Sequence, residues 1–147
     1  MSIELLDLAY YDLYQGFLTL FIVLLGLIIG LFFSKKVADV KYIVALYFWH
    51  TLFSAYYWYF STSNTADATL YFKKTFNLTP NFNPGTRFTE TVAYIITQIF
   101  DSNYLNTTLV SGIFGFLGLV FLYLSLSKFL SELNKLWYLI LFLPSMS

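Results

Sequence analysis

From Phe17 to Phe33 every residue of this chain is apolar or glycine, with Thr19 the single exception. Counted from Leu13, the run is long enough, at about 1.5 Å per helical residue, to cover roughly 30 Å, one hydrocarbon core. The remaining residues do not offset it. Of 147 residues, 59% are hydrophobic, 22% aromatic and 11% charged. A soluble domain carries about 25% charged residues, so this chain cannot cover its own apolar surface and lipid must do so. The expected fold is all-α, because open strand edges are not tolerated in hydrocarbon.

Two further runs extend the pattern. Residues 42–60 form a second apolar stretch ending in Tyr56-Tyr57-Trp58-Tyr59-Phe60. Tyrosine and tryptophan favour the headgroup level, so the cluster marks a membrane surface. Residues 105–127 form a third stretch. A fourth apolar run, Leu136 to Leu143, is too short to cross and is read as a partial span. The spacing therefore predicts a polytopic protein with full spans near 13–33, 42–60 and 105–127 and a partial fourth from 136. Residues 1–147 are one transmembrane domain, expected to be cut short at the C-terminus. The N-terminus, M-S-I-E-L-L-D, is acidic and lacks the basic start of a cleavable signal, so the first span is read as retained. Residues 3–14 are an interfacial helix or the wet end of that span. Gly26 and Gly30, and Ser111, Gly112, Gly115 and Gly118, are small-residue positions suited to close helix packing.

Between the second and third spans lies a polar segment, 61–104. It holds Pro80 and Pro84 and a turn signal at Asn83-Pro84-Gly85. A short helix is expected over 67–76, with Thr65 or Asp67 near its cap. Over 88–100, Phe88, Val92, Ile95, Ile96 and Ile99 recur at helical spacing, with Glu90, Gln98 and Asp101 on other faces. The spacing predicts an amphipathic interfacial helix with Val92, Ile95, Ile96 and Ile99 turned inward. The short turns carry Lys35, Lys36, Lys41, Lys128 and Lys135, against Lys73, Lys74 and Arg87 in segment 61–104. Positive charge marks the cytoplasmic side, so 61–104 is expected to be extracytoplasmic.

Composition excludes several chemistries. Formal net charge is zero, which argues against a nucleic-acid partner. Without cysteine and with one histidine, thiolate and His-rich metal sites are excluded. No motif indicates a metal, although a carboxylate at Asp67 is of the type that orients a divalent ion. Asp67 is the candidate general base, the one acid between Asp39 and Glu90, set just beyond the aromatic belt. From residue type alone, a solvated loop aspartate or a helix cap is the favoured reading. Lys73, Lys74 and Arg87 are candidates for a lipid phosphate, or for ordinary headgroup contact. His50, inside the second span, is read as a neutral histidine bonded to a neighbouring helix. The N-x-T matches at Asn77 and Asn106 are taken as chance.

The order of parts over residues 60–147 resembles the N-terminal part of membrane glycosyltransferases of the C superfold, and related bacterial surface-polysaccharide proteins. The resemblance rests on Asp67 followed by Tyr71-Phe72, then Pro84-Gly85-Thr86-Arg87, an amphipathic helix and Phe100-Asp101-Ser102. A glycine-rich span, a basic turn and Leu143-Pro144-Ser145 complete it. It departs from the family in having Ala68 rather than a second acid after Asp67, and in its extra leading span. It implies a bacterial inner-membrane protein transferring sugar from a polyprenyl-phosphate donor, with Asp67 catalytic and the basic residues at the donor phosphate. The alternative is a non-catalytic small membrane subunit packing against partner helices.

Overall fold

The structure, a computed structural model, describes residues 8, 10–34, 40–64, 66–77 and 79–129. Five helices, and no strand, are found among them. They are α1 (Leu13–Ser34), α2 (Val40–Ser63), α3 (Asp67–Lys74), α4 (Thr86–Phe100) and α5 (Tyr104–Phe129). The partial span expected from 136 lies outside the described residues, as do most of the two basic turns.

Two segments, Leu13–Phe33 and Tyr104–Leu122, are long and apolar enough to cross a membrane. Only 22% and 28% of their apolar windows are buried, where the core helix of a soluble protein would be mostly enclosed. Leu20, Phe21, Leu24, Ile28, Phe32, Phe114 and Phe121 point outward, a surface made for lipid. The third expected span, α2, is equally long but falls outside that class. His50, its serines and threonines, and its many tyrosines dilute its hydropathy.

α1 and α5 run parallel, and α2 runs antiparallel to both. On the first pair Thr19 meets Asn106, and Phe33 meets Phe121 with ring centroids 5.3 Å apart. On the second, Ser61 and Tyr104 share a hydrogen bond at one end, while Tyr47 meets Phe116 edge to face further along. The core between the three helices is Ile43, Leu46, Tyr47, Phe116 and Val120. The Tyr47 hydroxyl donates to the Val23 carbonyl at 2.6 Å, so the one polar atom of this ring is satisfied inside the bundle.

The expected glycine contacts divide. A Cβ on Gly26 would come within 2.6 Å of Ile113 and of the Tyr47 hydroxyl, and one on Gly30 within 2.6 Å of Phe116. One on Gly112 would overlap Ser54 Oγ. These three are true close-packing positions. Gly115 and Gly118 have nothing within 4 Å and face outward, so the expected three-glycine seam is not one face of one contact.

α3 and α4 cap the end of the bundle where α2 stops and α5 starts. Gly85, at φ +93°, makes the turn into α4, a conformation that glycine alone adopts without strain. Asp101, at φ +45°, ends α4 in the left-handed region, and three residues later α5 begins. The expected inward face of α4 requires correction. Ile96 is buried, but Ile99 is 67% exposed, and Val92 and Ile95 are only partly covered. The buried side is instead made mainly of Glu90, Thr91 and Thr97 with Ile96. Two of those polar groups find partners only on the cap, which is why they, and not the apolar stripe, turn inward.

Candidate functional site

The cap carries every residue singled out from the sequence for chemistry except His50. Asp67 opens α3, following Ala66, whose extended backbone starts the helix without a side-chain cap. The Asp67 side chain is exposed and, among the described residues, forms no ion pair. In the first turn of α3 its charge complements the helix dipole, and Lys73 and Lys74 do the same in the last turn. Arg87 is exposed in the first turn of α4.

Lys74 is already engaged. Its Nζ donates to Glu90 Oε1 at 2.6 Å, with the lysine 57% and the glutamate 8% exposed. The hydrogen bond to Glu90, and then its charge, hold the lysine above the usual ammonium range. Glu90 is therefore not on a free polar face of α4, as the sequence suggested. It is the anchor that ties α4 to α3. A second tie lies beside it. The Asn81 amide donates to Thr91 Oγ1 at 2.9 Å, and Thr91 Oγ1 donates back to the Asn81 carbonyl at 2.7 Å. Of the four candidates, Asp67 and Arg87 are exposed on one cap, Lys73 is half-buried, and Lys74 is exposed but paired.

Beneath the cap lies a cluster of amides that sequence reasoning missed. Gln15 Nε2 donates to the Asp101 carbonyl at 2.7 Å. Gln15 Oε1 accepts from the Asn103 amide at 3.0 Å and from Asn106 Nδ2 at 2.7 Å. Asn106 Oδ1 accepts from Thr19 at 2.7 Å. Asn103 caps α5, its Oδ1 accepting the Asn106 amide, while its Nδ2 donates to the Tyr10 carbonyl. Asn106 is fully buried, so its N-x-T match sits inside the protein. Among the described residues no buried side-chain N or O lacks a partner. A saturated network of this kind holds elements in place and offers no group to a substrate. The available signal was three amides at the mouths of two apolar spans, where each must find a partner.

At the start of α1, Asp12 accepts the Gln15 amide at 2.8 Å and the Tyr10 hydroxyl at 2.7 Å. Those two bonds, the backbone one first, hold the Asp12 carboxyl below its usual range, and the carboxylate holds the Tyr10 phenol above its own. His50 is buried mid-helix, its ring centroid 6.2 Å from that of Phe116. With Tyr47, Thr51, Ser54 and Gly112 it lines a cavity of about 10 Å³, room for no more than one water. Among the described residues no group of three or more His, Asp or Glu side chains is placed to hold a metal ion. The chain matches no family model, no curated protein and no solved structure.

Proposed function

We propose that this chain is a three-span membrane domain that transfers sugar from a polyprenyl-phosphate donor to an acceptor at the face bearing α3 and α4. In this reading α2 crosses together with α1 and α5, against which it packs along its length. The cap lies outside a bacterial inner membrane. The observation that carries the reading is the exposed carboxylate of Asp67, on the same cap as the exposed Arg87 and the half-buried Lys73. In the reaction the acceptor oxygen bonds to the sugar's anomeric carbon and its proton passes to Asp67. The bond from that carbon to the donor phosphate breaks, and its electron pair leaves with the phosphate. Lys73 and Arg87 meet the charge that develops there. Lys74 contributes less, because it must first release Glu90.

The test uses the full-length protein in a strain that depends on it for glycan. Asp67→Asn is expected to lower transfer by about 10²–10⁴ while insertion and abundance stay unchanged. Normal glycan production by this variant removes the catalytic assignment. It then favours a second reading, a non-catalytic subunit, which one observation supports independently. Gly115 and Gly118 leave open space on the outward face of α5, where a partner helix can approach closely.

A further inference from the structure

The apolar stripe of α4 faces away from the protein. At 3.6 residues per turn, Phe88, Val92, Ile95 and Ile99 share an arc of about 60°. Glu90 and Thr97, both buried, lie on the opposite side of the helix. Phe88 is 49% and Ile99 67% exposed. A helix that packed on its bundle through the usual amphipathic logic would show the reverse arrangement.

The C-terminal end of this helix is held at a defined level. Tyr14, in the first turn of α1, donates its hydroxyl to the Phe100 carbonyl at 2.8 Å, and Gln15 binds the Asp101 carbonyl. α5 begins at Tyr104. Both segments apolar enough to cross a membrane therefore enter the apolar layer beside the last turn of α4. Tyr10, Tyr11 and Tyr14 are exposed at the same level, as expected of side chains at the headgroup boundary.

We propose that α4 lies in the membrane interface with Phe88, Val92, Ile95 and Ile99 set into the acyl-chain boundary of the surrounding lipid. Its polar side is sealed against the cap through Glu90 and Thr91. The occupant of the exposed stripe is lipid, and the pinning of Phe100 and Asp101 to the mouths of α1 and α5 sets the depth. Lys74–Glu90 and Asn81–Thr91 then act as tethers that hold α3 and its connection to α4 at the surface. This inference does not rest on the sugar-transfer reading and survives its failure.

The chain has no cysteine, so single nitroxide labels can be introduced directly. Cysteine is placed at 88, 92, 95 and 99 in the stripe, and at Thr89 and Gln98, which are exposed off it. The full chain is reconstituted in vesicles of phosphatidylcholine and phosphatidylglycerol. Collision rates are measured with oxygen, which concentrates in hydrocarbon, and with a water-soluble nickel chelate. The expected result is a higher oxygen-to-nickel ratio at all four stripe positions than at 89 and 98. Equal ratios at Ile99 and Gln98 would place the stripe in water and overturn the proposal. Stripe labels shielded from both reagents would mean that protein covers the stripe, which also overturns it. Phe88 and Ile99 are surface positions at opposite ends of the helix, so a label that disturbs one end leaves an independent reading at the other.

Discussion

At the scale of single residues, Gln15 illustrates how an amide at the edge of an apolar span is used. It is 3% exposed, and its side chain joins the start of α1 to the carbonyl of Asp101 and to Asn103 and Asn106. Gln15→Leu keeps the bulk and leaves those groups unpaired. Each buried polar group stripped of its partner costs about 1–3 kcal/mol, so a clear loss of stability is expected in thermal unfolding of the purified chain in detergent. Lys74 behaves differently because it is more than half exposed, and its pairing with Glu90 is read through pH. The folded lysine titrates above its ordinary value of 10.5. Its contribution is therefore complete below that ordinary value and disappears as pH rises through the raised one. The α3–α4 contact is expected to weaken in strongly alkaline solution, and Lys74→Gln should flatten this part of the pH–stability curve. A wild-type and variant curve of the same shape would show that the pair adds nothing.

At the scale of elements, contact between the long helices depends on where small residues stand. Gly112 faces Ser54 so closely that an added Cβ would overlap its Oγ. Gly112→Ala must push α5 from α2 or turn Ser54 aside, and overpacking of this kind costs about 1–3 kcal/mol. Gly115→Ala meets open space. It should be neutral, or stabilising by up to about 1 kcal/mol through helix propensity. Thermal unfolding of the two variants side by side checks the contrast, and Ser54→Ala should relieve part of the Gly112→Ala defect. α4 shows the complementary case. Its sequence periodicity defines an apolar stripe but not the direction in which it points. Glu90, with one partner on α3, and Thr91, with one at Asn81, decided the rotation of the helix.

At the scale of the whole molecule, three antiparallel-to-parallel helices of membrane-crossing length bring the start of α1, the end of α2 and the start of α5 to one end, under α3 and α4. If all three cross, Asn83 in the cap and Ser34 at the far end of α1 lie on opposite sides of the membrane. Asn83→Cys is expected to react with a membrane-impermeant maleimide on intact cells, and Ser34→Cys only after permeabilisation. Labelling of both on intact cells would mean that α2 or α1 does not cross. The helical class and the approximate extent of all five helices were legible in the sequence. Length of apolar run, aromatic clusters and the turn at Asn83-Pro84-Gly85 are local properties, and hydrogen-bonded helix is the local response to them. Asp67 and Arg87 were likewise legible as exposed polar residues of segment 61–104, whereas Lys73 is half-buried. What only the tertiary structure decided were the pairings. These are Lys74 with Glu90 across sixteen residues, Gln15 with Asn103 and Asn106, 88 and 91 residues on, and the division of the glycines into packed and outward-facing. Each depends on which distant group is within about 3 Å, and local sequence carries no record of that distance.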